Sequence, residues 1–372
     1  MRIGIDARFY GPQGKGLGRY TQKLILNLEK RDHQNQYFVF LRNENWDDYQ
    51  PQSSNFHRVK ADYRWYSLRE QLFLPWVIRQ QKLDLMHFPH FNVPVLYFGK
   101  MIVTIHDLII TNFPTKKATT LGPIKYWLKQ RGYKTVIRLA VKRAQRIITV
   151  SQYSKQQIIK HFKIDSDKIV VTYEACDSKK KSDNPDPVLA KYKISRPYLL
   201  YVGNVYPHKN IERLLKAFAQ ISKERFDLKL VLVGKEDYFY KRIKGVVDDL
   251  DLLTKVIFTG FVIDADLAAI YQESSAYIFP SIEEGFGLPP LEAMSYGVPV
   301  VSSNSSCLPE VLGQAAHYFD PLSIEQIISS VNKVLDDSNL RDRLVQSGLG
   351  RIQGFSWSKL AEETLKIYQS VL

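Results

Sequence analysis

The stretch Pro280–Ser302 reads Pro-Ser-Ile-Glu-Glu-Gly-Phe-Gly-Leu-Pro-Pro-Leu-Glu-Ala-Met-Ser-Tyr-Gly-Val-Pro-Val-Val-Ser and places two carboxylates around a glycine turn. Glu284 stands before Gly285-Phe286-Gly287-Leu288, and Glu292 follows it. Pro289 and Pro290 suit the first turn of a helix, where an N–H has no intrahelical partner in any case. The backbone N–H groups of Phe286, Gly287 and Leu288 can then face an anion at that helix N-terminus. Two carboxylates flanking an anion-binding turn suit a ligand rich in hydroxyls and phosphate. The spacing of the two glutamates alone specifies nothing; the whole string carries the information.

A second cluster, Gly203-Asn204-Val-Tyr-Pro-His-Lys209-Asn210, follows a strand pattern and puts Lys209 and Asn210 at the entrance to a helix. A lysine there can meet a phosphate beside the helix dipole. Gly14-Lys-Gly16-Leu-Gly18 lies between the first strand and the first helix. It is not a dinucleotide fingerprint, because Thr21 stands where the third glycine belongs, nor a P-loop, because Gly16 follows Lys15. A small loop still lets backbone N–H groups approach a phosphate. His106 ends the strand pattern Met101–Ile105, from which it can enter a cleft, although a lone histidine is more often structural. No Asp/His/Ser arrangement can be defended from spacing. Cys176 and Cys307 form neither a disulfide framework nor a zinc spacing, so they read as two thiols of a reducing compartment. Asp264-Ala-Asp266 has the spacing of a cation clamp but reads as a helix start capped by Asp264, so no metal site is expected.

Two βα series must position these residues. In the first half, strand patterns at Arg2–Ile5, Tyr37–Leu41, Leu83–His87, Met101–Ile105 and Arg146–Val150 alternate with helical patterns near 16–30, 68–80 and 123–143. Ser151 and Ser154 are N-cap candidates for the helix that follows. Ser178–Pro187 is polar, charged and proline-rich, a linker composition. A second series follows, with strands at 198–202, 228–233, 256–258, 276–279 and 298–302. The 372 residues thus predict an α/β protein of two doubly wound domains. The boundaries are 1–180, a linker at 181–195, and 196–355, with strand carboxyl ends facing a central cleft.

Charge divides the same way. Of the net +14, residues 1–178 hold +15, from 29 Lys and Arg against 14 Asp and Glu, while residues 179–372 are at −1. A basic half points to nucleic acid or an anionic membrane. Residues 116–146 carry ten Lys and Arg and no acid, with aromatic residues interleaved. Lys125, Trp127, Lys129, Arg131 and Lys134 are the candidate membrane or acceptor contacts within them. No apolar stretch is long enough to span a bilayer, and the N-terminus enters a strand pattern without signal-peptide features. A soluble or peripheral cytoplasmic protein is expected, on the inner face of the cell membrane.

In the order of these motifs the chain resembles the family 4 glycosyltransferases of GT-B fold, of the bacterial mannosyltransferase-like kind. The resemblance runs from Gly4-Ile-Asp-Ala-Arg8 through Gly16-x-Gly18, His106-Asp107, the Lys209 segment, Phe258-Thr-Gly-Phe261 and Glu284–Glu292 to Leu308-Pro-Glu310 and Phe355-Ser-Trp357. It implies two Rossmann-like domains, an acceptor domain first and a nucleotide-sugar donor domain second, with the final helix 356–372 packed back on the first. It implies retaining transfer of a hexose, mannose favoured, from a nucleotide-diphosphate sugar such as GDP-mannose, without cofactor or metal. The acceptor would be a glycan or a polyprenyl-diphosphate-linked sugar in cell-surface polysaccharide assembly. Glu292 would hold the ribose. Glu284 and the Gly285–Leu288 backbone would hold the sugar and phosphates, and Lys209 would neutralise the leaving diphosphate. The Gly16–Gly18 loop would close over it, and His106 would contact the sugar at the reacting centre. Gly203, Asn204 and Asn210 would complete the donor site, with Asn204 standing where many members carry an arginine. The alternatives are a nucleic-acid-binding protein using the basic half, and a phosphorylase or epimerase of the same fold.

Overall fold

The computed structural model describes residues 1–11, 14–113, 122–177 and 181–371, and the chain divides into two α/β units. The first comprises Met1–Leu108, Thr119–Glu174 and Ser356–Leu372; the second comprises Ile109–Ala118 and Ala175–Phe355. From the N-terminus the elements are β1 (Arg2–Asp6), α1 (Lys15–Arg31), β2 (Gln36–Leu41), β3 (Phe56–Lys60), α2 (Leu68–Gln80), β4 (Leu85–Phe88), β5 (Met101–Thr104), α3 (Ile109–Asn112), α4 (Pro123–Arg143), β6 (Arg146–Thr149), α5 (Gln152–Phe162) and β7 (Ile169–Val171). The seven strands form a wholly parallel sheet in the order β3-β2-β1-β4-β5-β6-β7. Its central strands are almost uniformly buried, as a parallel sheet covered on both faces requires.

The second unit continues with α6 (Asp186–Lys191), β8 (Tyr198–Val202), α7 (Ile211–Glu224), β9 (Lys229–Val233), α8 (Tyr238–Asp249), β10 (Val256–Gly260), α9 (Asp264–Gln272), β11 (Ala276–Phe279), α10 (Leu288–Ser295), β12 (Val300–Ser303), α11 (Leu308–Leu312), β13 (Ala316–Phe319), α12 (Ile324–Asp336) and α13 (Ser338–Ile352). Its six strands are also parallel, in the order β10-β9-β8-β11-β12-β13. Both sheets reverse their strand order once, between β1 and β4 and between β8 and β11.

The segment 181–195, expected as a linker, belongs to the second unit and carries α6. Ser182 N–H donates to Gln272 Oε1 at 2.8 Å, and Lys191 Nζ and Tyr192 OH both reach Asp266 Oδ2, at 2.6 and 2.8 Å. Its polar composition is that of a surface helix tied to α9. Three strands were not expected from the sequence: β3, β7 and β13. All lie at sheet edges. β3 (Phe-His-Arg-Val-Lys) and β13 (Ala-His-Tyr-Phe) mix polar with apolar residues, which breaks the apolar run of a central strand, and β7 is apolar but only three residues long.

The last helix, α14 (Trp357–Ser370), returns to the first unit. Its apolar face, Trp357, Leu360, Ala361, Thr364, Ile367 and Tyr368, is buried, and Ser356 caps its N-terminus. Arg31 at the end of α1 donates to Ser358 Oγ at 2.7 and 3.0 Å and pairs with Glu362 at 3.3 Å.

Candidate active site

Ligands of doubly wound sheets bind outside the carboxyl ends of the strands, where the strand order reverses. In the second unit, the loops leaving β8 and β11 carry Gly203–Asn210 and Pro280–Leu288. Two hydrogen bonds stitch them together: Ile282 N–H to His208 O at 2.8 Å, and Asn210 Nδ2 to Pro280 O at 3.1 Å. Lys209 Nζ donates to Glu284 Oε1 at 2.6 Å, with the two side chains 14% and 9% exposed. The ammonium also lies 5.7 Å from the centroid of the Phe279 ring. Removing either partner would leave an uncompensated charge in a largely dry position.

Beyond Glu284, whose own N–H donates to Ser306 Oγ at 3.2 Å, the chain turns into α10. Gly287 is its N-cap, with φ +92°, and a Cβ there would stand 2.9 Å from Leu308 Cδ2. Only glycine takes that conformation without strain. α10 begins four residues after Glu284, and because Pro289 and Pro290 carry no N–H, the donor of its first turn is the Leu288 amide, which an anion near Lys209 could meet beside the helix N-terminus. Glu292, one turn into α10, is buried and accepts from Tyr271 OH at 3.3 Å. Phe286 is buried and meets the Phe355 ring edge-on at 5.6 Å, so the turn contributes its backbone while its side chain anchors it.

Several expected donor contacts have other roles. Asn210 is 7% exposed and its side chain is satisfied within the protein. Its Nδ2 donates to Pro280 O and Pro321 O, and its Oδ1 accepts from Arg213 Nη1 at 2.7 Å. With φ +62°, it holds the entry to α7 rather than a ligand. Asn204 is held at its backbone, where its carbonyl accepts from Tyr201 OH at 2.5 Å. Gly203, at the end of β8, donates to Val233 O and accepts from Tyr240 OH. Gly16 and Gly18 are not in a loop but in the first turn of α1. Gly18 is a packing requirement, since a Cβ would stand 2.1 Å from Gly11 O. Asp264 is the first residue of α9 and Ile263 its N-cap, while Asp266 is taken by Lys191 and Tyr192. Among the described residues, no cluster of three or more His, Cys, Asp or Glu side chains could hold a metal ion.

In the first unit His106 follows β5. Its Nε2 is 3.0 Å from Pro89 O and its Nδ1 is 3.0 Å from Glu174 Oε1. A carbonyl can only accept, so Nε2 carries a proton; a carboxylate at Nδ1 favours a second. Burial alone would lower the imidazole pKa, but the Glu174 hydrogen bond and charge, the Pro89 carbonyl and Asp107 raise it above its ordinary value. Both nitrogens of His106 are thus engaged, and its protonated form is favoured relative to a free imidazole. Its carbonyl accepts from Ser154 Oγ at 3.1 Å, so Ser154 supports His106 while Ser151 is the cap of α5. Glu174 was not singled out from the sequence. It lies three residues past β7, and recognising that short edge strand would have put it at the same sheet edge as His106.

A buried chain lies behind the histidine. The Tyr20 ring meets it edge-on at 4.6 Å; Tyr20 OH is 3.3 Å from Thr104 Oγ1, which is 2.8 Å from His87 Nε2; His87 Nδ1 is 2.7 Å from Tyr368 OH. Burial first, then the His106 charge, pushes His87 down to about 3, so it is neutral. At the end of β1, Arg8 is fully buried and joins Asp6 and Glu70, each at 2.7 Å. Of the expected membrane residues, Trp127, Lys129, Arg131 and Lys134 are exposed, with the Arg131 guanidinium 4.9 Å over the Trp127 ring. Lys125 lies outside the described side chains.

Two parallel α/β units of Rossmann type are the architecture of the GT-B fold. The Glycosyltransferase Family 4 model matches residues 14–180, and the Glycosyl transferases group 1 model matches 189–351. O-antigen chain mannosyltransferase B of Escherichia coli is 30% identical over 377 residues, covering 95% of this chain and 96% of that protein. The chain belongs to the family 4 glycosyltransferases and is a hexosyltransferase. The fold is shared with sucrose-phosphate synthase from Thermosynechococcus elongatus (TM-score 0.79, 20% identity, 100% of this chain and 99% of that one). It is shared also with HepE from Anabaena, solved in complex with UDP-glucose (TM-score 0.76, 16% identity, 99% of both chains).

Proposed function

We propose that the protein is a retaining, metal-independent mannosyltransferase that takes mannose from GDP-mannose and adds it to a glycan or polyprenyl-diphosphate-linked acceptor in cell-surface polysaccharide assembly. The name of the Escherichia coli relative supports the sugar and the pathway class. The observation that carries the chemistry is the Lys209–Glu284 pair beside the N-terminus of α10. As the bond between the anomeric carbon and the β-phosphate oxygen breaks, its electron pair stays with the leaving nucleoside diphosphate. Lys209 and the backbone N–H groups of the turn ending at Leu288 stabilise that growing charge more in the transition state than in the ground state. The acceptor hydroxyl forms the new bond on the same face of the sugar, and its proton passes to the departing phosphate oxygen. Glu284 orients the sugar hydroxyls and Glu292 holds the ribose. The basic first unit favours work at the anionic inner face of the cell membrane. Turnover measured with a panel of nucleotide sugars tests the reading: GDP-mannose is expected to be used best, and preference for a uridine-linked hexose would overturn the donor assignment.

A further inference from the structure

Helix α2 is apolar on two opposite faces. Leu74 and Ile78 are buried in the core of the first unit, behind Glu70, which Arg8 and Asn92 hold. On the outer side Leu68, Leu72 and Trp76 recur at every fourth residue, 82%, 59% and 61% exposed, with Phe73 beside them. A helix apolar all round is covered in its working state. The neighbouring loop repeats the pattern, with Leu96 and Phe98 exposed. That loop is tied to α2 by Val95 N–H donating to Gln71 Oε1 at 2.7 Å, and to α4 by Arg143, which donates to Val95 O and lies 4.6 Å over the Phe98 ring. The inner residues of α2 and α4 share one core, so the two helices lie on the same face of the sheet. α4 adds exposed Trp127 and Leu128.

Charge selects the occupant. Between Asp62 and Asp107 the only acids are the buried Glu70 and the exposed Asp84, which lies before β4, off α2 and its loop, and accepts from the Arg2 N–H; from Asp107 to Asp165 there is none. Exposed Arg69, Arg79, Lys100, Lys129, Arg131 and Lys134 accompany the apolar side chains. Large apolar groups among cations, without acids, match an interface of anionic headgroups over hydrocarbon. We propose that the outer face of α2, with Leu96 and Phe98, inserts into an anionic phospholipid bilayer, while the cations of α4 bind its headgroups. This deepens the proposed membrane location and rests on it. It assigns the apolar insertion to α2 and its loop, where electrostatic adsorption through α4 alone would need neither.

The test is vesicle sedimentation, which requires no turnover. The full chain is mixed with vesicles of phosphatidylcholine alone or with phosphatidylglycerol added. Binding to the anionic vesicles alone is expected, with a fraction surviving high salt. L68S/L72S/W76S, altered only at exposed positions, should weaken binding at least tenfold and lose the salt-resistant fraction while keeping its melting temperature. R131A/K134A should lose mainly the salt-sensitive part. Trp76→Phe should remove a blue shift of tryptophan emission seen on adding anionic vesicles. Wild-type partitioning by the triple variant would overturn the insertion while leaving an electrostatic membrane contact intact. A dimer that the triple variant converts to monomer, with vesicle binding unchanged, would assign the face to a second copy and overturn it as well.

Discussion

Lys209 and Glu284, 75 residues apart in sequence, meet at 2.6 Å across the point where the strands of the second sheet reverse their order. One leaves β8 and the other leaves β11, so the pair exists only when both strands and their loops are in register. The ammonium of Lys209 is thus already held by the carboxylate in the protein as it stands.

Lys209→Ala is expected to lower kcat/KM for the nucleotide sugar roughly ten- to hundredfold, the ~1.5–3 kcal/mol of a charge-assisted hydrogen bond. Because it also strands Glu284, K209A/E284A should fall short of the summed single losses by about 0.5–3 kcal/mol. Unchanged steady-state kinetics in a folded Lys209→Ala protein would remove the diphosphate role.

For Glu292 the comparison is with its neighbour. Glu292→Ala should raise the donor KM by about tenfold or more if it binds the ribose, following the same hydrogen-bond range. Tyr271→Phe removes only the hydroxyl that the carboxylate accepts, and should have a smaller effect. Equal effects of the two would make Glu292 a packing residue.

The pH dependence follows from His106. Its pKa in the folded state lies above its ordinary value of 6.5. The Glu174 interaction therefore stabilises fully below pH 6.5 and is lost as pH rises through the folded pKa. Glu174→Gln should abolish that stability loss and bring the His106 titration, followed by NMR, down. A histidine titrating at the same pH in Glu174→Gln would show that Glu174 does not hold the proton.

Emptying the Tyr368 site with Tyr368→Ala should destabilise the first unit by about 3–5 kcal/mol, the usual range for a buried aromatic. Calorimetry should show the shift in one transition only, because α14 belongs to the first unit. If both units melt together, that assignment of stability fails.

Metal independence is the simplest expectation to check. Transfer should survive EDTA, since Asp266 of the Asp-x-Asp spacing is occupied by Lys191 and Tyr192. Activity abolished by the chelator and restored by Mg²⁺ or Mn²⁺ would contradict it.

Much of this was legible from residue order because central parallel strands read as apolar runs and Gly287 with Pro289 and Pro290 announces a helix start. What escaped were quantities that depend on neighbours distant in sequence. β3 and β13 lacked the apolar signature because their edge positions admit polar residues, and β7 has it over only three residues. Glu174 could not be matched to His106 without β7. Asn210 looked like a ligand contact because its entrapment by Pro280 and Pro321 involves chain 70 and 111 residues away. Asp264 and Ile263 exchanged cap and first-turn places, a shift of one residue that composition does not resolve.

The return of α14 to α1 also sets an order of events on the ribosome. The second unit spans some 180 residues between the two parts of the first, so at about 5–20 residues per second it takes roughly 10–40 s to synthesise. Throughout that interval the groove of α1 that receives Leu360, Ile367 and Tyr368 stays uncovered and His87 lacks its phenol partner. The nascent first unit therefore needs protection from aggregation while the second folds ahead of it. A chain terminated before residue 356 would carry the second unit whole and the first without α14.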